Sequence, residues 1–414
     1  MMKMYDLMKK SYTLLCIVLL SSPLLVRGQL STIVINQEGG NRIARLFIPS
    51  SYTGEEPWPL VLNFHGALSD INGQVAHGMN ELAETEGFIV AYPQGMDVEL
   101  NSTFLPDQGS GWNIGGSLSD NDDLAFISSL LDKIEVDYSV DPARIFATGF
   151  SMGGAMAYYL ACSFPDRITA VATVAGLLSK PGEAYDCEPG RAIPVLQIHG
   201  TDDALTNYYP VASTSLFSAE ETVQYWVDNN NCAGDPIETA VPDTDTEDES
   251  TVTIFHYNNC AEDTEVLLYR VNNGRHSWPG TPVPPPTTGA GVFLVGKPNM
   301  DINANEEILN FFGQHSLMTA TRSQLRPEEV QLSEFPIPFS NQLTFTFELP
   351  EAARVRLAVF NSLGQNVESL VDQWLPAGKQ RVEWKVPDSR LPAGTYYYRL
   401  WIGNRFTART VVKQ

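Results

Sequence analysis

The sequence predicts an α/β domain, a mostly parallel sheet with helices on both faces, followed by a small antiparallel β-sandwich. Three observations carry this reading. Before about residue 320, short apolar runs ending in glycine alternate with stretches of helical spacing. From Gln331 to Gln414 apolar and polar residues alternate in period two, and cysteine is absent. Charge shifts at the same point. The chain of 414 residues has 26 Lys and Arg against 49 Asp and Glu, yet in the tail ten basic residues face seven acidic ones.

Residues 1–28 read as a signal peptide. Lys9 and Lys10 precede an apolar run from Leu14 to Val26 that Ser21, Ser22 and Pro23 interrupt. The run is shorter than the roughly 20 apolar residues of a spanning helix, so no stable membrane insertion is expected. The small residue Gly28 before Gln29 marks the cleavage point. Cys16 lies within the run without small residues before it, unlike a lipoprotein anchor. Export through the periplasm to the exterior is the expectation. It leaves Cys162, Cys187, Cys232 and Cys260, an even count that suggests two disulfides in an oxidising compartment. Three connectivities are open, and pairing sequence neighbours is the economical one. No pair has the close spacing of a zinc site, and neither metal nor cofactor is expected.

Residues 29–315 form the predicted α/β domain. Strands are expected at Pro59–Gly66, Gly87–Gly95, Arg144–Gly154 and Ile193–Gly200, each apolar and ending in glycine. A helix over Asp122–Val136 carries Leu124, Ile127, Leu130, Leu131 and Ile134 as one stripe. Gly154–Phe164 is small and helix-forming, and Glu306–His315 closes the domain as an amphipathic helix. The acidic run Asp243–Glu249 lacks the glycine and terminal glutamate of a calcium loop and reads as a solvated loop. Residues 316–330, polar and without pattern, read as a linker. Residues 331–414 supply the sandwich, with strands in "LTFTFELP", "VRLAVFNSLG" and "TYYYRLWIGN" and turns at Leu363-Gly364 and Ala393-Gly394. The net charge of -23 argues against nucleic-acid or anionic-lipid partners.

Chemistry concentrates at Gly149-Phe150-Ser151-Met152-Gly153. An apolar strand before this Gly-x-Ser-x-Gly and a small-residue helix after it put the serine on a strained turn at the sheet's carboxyl edge. A serine nucleophile needs a base, and after such an elbow the chain order is serine, acid, histidine. Of six histidines, His65, His77 and His199 come too early. His256 falls in the strand "TVTIFHY" and His315 at the end of the closing helix. His276 remains, in the loop "NNGRHSWPG" after the strand "EVLLYRV". Asp202 and Asp203 follow a buried strand, and spacing does not choose between them. The oxyanion hole is expected from the N–H of Met152 and that of Ala67 or Leu68, with His65 shaping this loop beside the substrate. Trp112 and Trp278 are candidates to stack on an aromatic acyl group or a sugar, with core packing the equal alternative for each.

The motifs "HGALSD", "YPQG", "GWNIG", "DDLAFISSLLDKIEVDYSVDPARIFATGFSMGG", "IHGTDD" and "GRHSWPG" occur in this order between about Ser31 and His315. The series resembles the extracellular polyhydroxybutyrate depolymerase and feruloyl esterase group, related to carbohydrate esterase family 1. Two positions depart from many relatives: Met152 where they have asparagine, and Arg275 where they have glycine. The resemblance implies an α/β-hydrolase fold, Asp203 as triad acid, and bridges Cys232–Cys260 and Cys162–Cys187. It implies a secreted serine esterase working through an acyl-enzyme on feruloyl or acetyl esters of plant cell-wall polysaccharide. The alternative substrate is a polyhydroxybutyrate polyester. A non-catalytic polysaccharide-binding protein would be expected to have lost a triad member. The tail, through "FPIPFSNQLTFTFELPEAARVRLAVFNSLGQNV", "LPAGKQRVEW" and "LPAGTYYYRL", resembles the type A C-terminal sorting domain of the type IX secretion system, with Ile337 in place of the usual asparagine. This implies the type IX machinery as partner; the rival is a carbohydrate-binding sandwich.

Overall fold

The computed structural model describes residues 28–414 except 38–39, 101–105, 107, 116–118, 212–213, 282–295, 318–331, 351, 361–365, 387–390 and 403–404. Nearly all of the expected signal peptide, most of the linker and the Leu363-Gly364 turn therefore lie outside the described residues.

The first domain is built on one ten-stranded sheet. Its strands are β1 (Gln29–Gln37), β2 (Gly40–Ile48), β3 (Trp58–Phe64), β4 (Ile89–Pro93), β7 (Val140–Phe150), β8 (Ala170–Val174), β9 (Val195–Gly200), β10 (Ile237–Ala240), β11 (Thr251–Tyr257) and β12 (Val266–Asn272), with β5 (Met96–Glu99) and β6 (Gln108–Gly111) forming a separate hairpin. The order is β1-β2-β4-β3-β7-β8-β9-β12-β11-β10. From β4 to β12 neighbours run parallel, and antiparallel pairs close both ends. The inner strands β3, β4, β8 and β9 are buried on both faces almost throughout, which is why they read as mainly apolar runs.

Helices cover both faces. On one lie α3 (Asp123–Asp137), α4 (Met152–Ser163) and α5 (Ala219–Asn229), whose Phe126, Leu130, Leu160 and Trp226 join the sheet in one core. On the other lie α1 (Ile71–Val75), α2 (Met79–Glu86) and α6 (Ala304–Gly313), burying Met79, Ile308 and Phe312. Each fully buried side chain of this size contributes roughly 1.5–3 kcal/mol. Local chemistry starts the helices as well. Asp122 caps α3 by accepting the Ala125 N–H, and Ser218 with Glu221 forms a capping box on α5. This is the α/β-hydrolase fold.

Strand order reverses between β3 and β7, because the chain lays β4 on one side of β3 and β7 on the other. Such a switch leaves a crevice beyond the carboxyl ends of the two strands. The loop after β3 begins at His65, and Ser151 follows β7 directly, so both flank that crevice.

Two disulfides staple this domain, Cys162–Cys187 and Cys232–Cys260. A buried ion pair ties the strand β2 to α3: Arg42 Nη2 donates to Asp123 Oδ1 at 2.6 Å, both side chains nearly fully enclosed. The acidic run is less solvated than expected. Asp248 is buried, and its carboxylate accepts from the N–H groups of Ser250 and Met300, each at 2.7 Å.

The tail is a sandwich of two sheets around one core. One sheet holds β13 (Ser333–Phe335), β14 (Gln342–Leu349) and β17 (Gly378–Lys385). The other holds β15 (Ala353–Phe360), β16 (Asn366–Leu375), β18 (Gly394–Ile402) and β19 (Arg405–Lys413). Phe345, Phe347, Val355, Leu357, Trp384 and Tyr398 fill the space between them. The sandwich sits against the end of α3. Arg399 donates to the Tyr138 carbonyl at 3.0 Å, Arg356 reaches Glu135 at 3.5 Å, and Phe360 and Trp401 cover Val136.

Candidate active site

The elbow forms because the chain must reverse from β7 into α4 within one residue. Ser151 takes φ 56° and ψ -120°, a strained left-handed conformation for a residue with a side chain. Its N–H donates to the Val174 carbonyl at 2.8 Å, which ties the turn to β8. Glycine is required on both sides: a β-carbon on Gly153 would overlap the Phe64 carbonyl, and one on Gly149 would strike Gly153. The same closeness brings β3 beside the elbow, with a β-carbon on Gly66 only 3.3 Å from Cβ of Ser151.

His276 and Asp203 meet although 73 residues apart. His276 Nδ1 lies 2.7 Å from Asp203 Oδ2, and the pair is buried. The imidazole packs against Phe150, next to Ser151, with ring centroids 4.8 Å apart. Asp203 is held by more than histidine. Its Oδ1 accepts the N–H groups of Leu205 and Thr206, each at 2.9 Å, and Oδ2 accepts the Thr206 hydroxyl at 2.8 Å. Burial alone would raise the carboxyl pKa. Nearby His276, through charge and hydrogen bond, with His199 and the Thr206 amide, outweighs burial and holds it at about 2. Asp202 is exposed; its N–H donates to the Gly274 carbonyl, and among the described residues its carboxylate accepts a 3.5 Å contact from the Thr201 hydroxyl and none from His276.

The loop after β3 corrects one expectation. Leu68 cannot serve an oxyanion, because its N–H already donates to the Ser110 carbonyl at 2.8 Å. Leu68 itself stands at φ 61°. Ala67 and Met152 remain the candidates. Met152 opens α4, where the first-turn amides have no intrahelical carbonyl and the helix dipole is positive.

His65 is a candidate to line the substrate, and Trp112 and Trp278 either to line it or to pack in the core; the structure puts all three in the interior. His65 has no exposed surface. Its Nδ1 lies 2.8 Å from the Gly66 carbonyl, and Nε2 accepts the Gly95 N–H at 2.9 Å. Burial pushes its pKa down, so it is neutral with its proton on Nδ1. Trp112 is equally enclosed, packing edge-on to Phe64 and donating Nε1–H to the His65 carbonyl at 2.8 Å. Trp278 stacks on His77 at 4.9 Å beneath Phe150. These rings support the site from below and offer no free face. The motifs "YPQG", "GWNIG" and "DDLAF" meet in the same support. Gln94 donates to His65 Nε2 at 3.1 Å and its carbonyl accepts from Arg42, while Asp123 Oδ2 accepts the Asn113 N–H at 2.7 Å.

Sequence reasoning missed Thr206 and His199. Threonine three residues after an aspartate is a common turn pattern, and nothing in spacing marks it as a partner of the His276–Asp203 pair. His199 was set aside on chain order and proves to lie directly behind Asp203, its Nε2 3.5 Å from Oδ2.

Residues 121–231 match the family model described as Phospholipase/Carboxylesterase, and residues 333–414 match that described as Secretion system C-terminal sorting domain. Feruloyl esterase B of Piromyces equi is 30% identical over 240 residues, which are 55% of this chain and 41% of that protein. A bifunctional acetylxylan esterase/xylanase of Neocallimastix patriciarum is 31% identical over 176 residues, 42% of this chain and 23% of that protein. A probable feruloyl esterase C of Aspergillus niger is 28% identical over 194 residues, 47% of this chain and 63% of that protein. The chain thus spans less than two thirds of the length of these curated relatives. It is similar to esterases through its first domain and to secretion sorting domains through its second.

Proposed function

We propose that this chain is an exported serine esterase that hydrolyses feruloyl or acetyl esters of plant cell-wall polysaccharide, with Ser151, His276 and Asp203 as its triad. The observation that carries the reading is the buried His276–Asp203 pair, 2.7 Å apart, whose imidazole packs beside the strained Ser151 elbow. Relatives named for feruloyl and acetylxylan ester hydrolysis support the substrate class. Similarity of residues 333–414 to sorting domains supports delivery through type IX secretion.

Ser151 Oγ attacks the ester carbonyl carbon while His276 Nε2 takes its proton. The negative oxygen that develops receives hydrogen bonds from the Met152 and Ala67 amides. His276 then protonates the departing alcohol oxygen as the C–O bond breaks, leaving an acyl-enzyme. Water attacks that acyl group, giving its proton to His276, and release of the acid restores Ser151. Asp203 fixes the imidazole with its proton on Nδ1 and stabilises the imidazolium. No step requires another group.

A substrate panel tests the reading: feruloylated arabinoxylan followed by ultraviolet absorbance, acetylated xylan followed by acetate release, and polyhydroxybutyrate film followed by clearing. Release of ferulate or acetate, with the film intact, is the expected result. Film hydrolysis without release from either xylan would transfer the substrate to polyester. A folded protein inert on all three would remove the esterase reading.

A further inference from the structure

Behind the acid–base pair lies a buried polar chain that the three-residue mechanism leaves unused. Gln197, on β9, is fully buried. Its Oε1 faces two hydroxyls, Tyr158 and, at 2.6 Å, Thr173, while its Nε2 donates to the Gly176 carbonyl at 2.9 Å. This fixes which end of the amide is which, because a carbonyl oxygen accepts and never donates. The second N–H of Nε2 points at His199 Nδ1, 2.7 Å away. Nδ1 must therefore accept, and the single proton of a neutral imidazole resides on Nε2. That Nε2–H donates to the Thr206 carbonyl at 2.8 Å. Protonating Nδ1 as well would set two N–H groups against each other, so His199 stays neutral; complete burial depresses its pKa in the same direction.

Thr206 then carries the constraint to the carboxylate. Its N–H holds Asp203 Oδ1, and its hydroxyl holds Oδ2 while lying 3.2 Å from His276 Nδ1. We propose that His199 and Thr206 are positioning residues for the acid–base pair: His199 locks the Thr206 carbonyl, and Thr206 aims both oxygens of Asp203 so that one faces His276. The inference rests on the Ser151–His276–Asp203 reading. Neither residue touches the reacting atoms. Their effect falls on the rate of proton transfer, with substrate affinity left alone.

Two pairs of variants test it, with kcat and KM measured on methyl ferulate and folding checked by thermal melting. Thr206→Val keeps the shape and removes the hydroxyl; kcat is expected to fall roughly tenfold or more with KM within about twofold. Thr206→Ser restores the hydroxyl and is expected to recover most of kcat. His199→Gln returns an N–H where Nε2 stood and is expected to retain more kcat than His199→Leu, which has no donor. If His199→Leu does not fold, the threonine pair still decides. A folded Thr206→Val with wild-type kcat, or Thr206→Ser as impaired as Thr206→Val, would overturn the proposal. Ser151→Ala in the same assay separates the two levels. If it is inactive while Thr206→Val is normal, only the positioning role fails; if it is active, the triad reading fails with it.

Discussion

Exchanging Asp203 for asparagine changes one atom and should remove nearly all turnover. Asp203 receives four hydrogen bonds: two backbone N–H groups at Oδ1, and the Thr206 hydroxyl and His276 Nδ1 at Oδ2. The backbone donors cannot turn, so the asparagine oxygen must stay at the Oδ1 position and its NH2 must occupy that of Oδ2. An NH2 beside Nδ1 forces the imidazole proton onto Nε2, the atom that must accept from Ser151. The charge that stabilises the imidazolium is lost as well. Loss of a triad carboxylate by this tautomer effect lowers kcat by about 10⁴, or roughly 5 kcal/mol of barrier. Asp202→Asn should stay within about threefold of wild type, because Asp202 is exposed, His276 Nδ1 is paired with Asp203, and surface changes away from a site are small. The assay is kcat on methyl ferulate for both variants, with melting curves showing that each is folded. A folded Asp203→Asn retaining more than about a tenth of wild-type kcat, or Asp202→Asn as the more damaged of the two, would refute the assignment.

Four further outcomes are expected. Thiol labelling of the unfolded, unreduced protein should modify none of Cys162, Cys187, Cys232 and Cys260, and Cys232→Ser should lower stability by roughly 3 kcal/mol while the folded fraction keeps its kcat. Burial depresses His77 from the ordinary 6.5 to about 4, so the unfolded chain binds a proton that the folded one refuses. Its stability contribution is complete above pH 6.5 and is lost as pH falls towards 4, by about 3 kcal/mol, and His77→Phe should flatten the denaturation midpoint across that window. Asp203 has the same sign in a lower pH window. Its depressed value of about 2 contributes on the order of 2 kcal/mol above pH 3.8, lost as pH falls through 2, so loss of activity at pH 5 should not track its protonation. Truncation after His315 should leave kcat/KM within about twofold, since the sandwich contacts Tyr138 and Val136 at the amino end of the 11-residue strand β7, roughly 35 Å from Ser151. In the native host the same truncation should hold active enzyme in the periplasm; unchanged export would remove the sorting role.

What the sequence made legible was whatever local chemistry dictates. The glycines around Ser151 and the apolar run before it announce a strand-to-helix turn because no other residues fit there, and His276 followed by elimination among six histidines. The stripe from Leu124 to Ile134 became α3 within a residue of its expected bounds. Facing direction was not legible. Asp202 and Asp203 are adjacent, and only the loop's return through Thr206 turns the second carboxylate inward. Burial was not legible for the same reason. Trp112 and Trp278 stand in glycine-rich loops whose sequence does not choose between stacking on substrate and packing in the core; those loops fold over His65 and His77 and enclose both rings. The choice between Ala67 and Leu68 depended on a hydrogen bond to Ser110 on β6, a pairing with no signature in either segment.

The most direct test of the central claim is covalent trapping. An aryl alkylphosphonofluoridate reacts with an activated serine and leaves a stable phosphonyl group, so intact-mass and peptide mass spectrometry can locate it. Complete inactivation at one phosphonyl per chain, on the peptide carrying Ser151, is the predicted result, with His276→Ala labelling far more slowly. Ester turnover that survives full labelling of Ser151, or inactivation with the adduct on any other residue, would contradict the account.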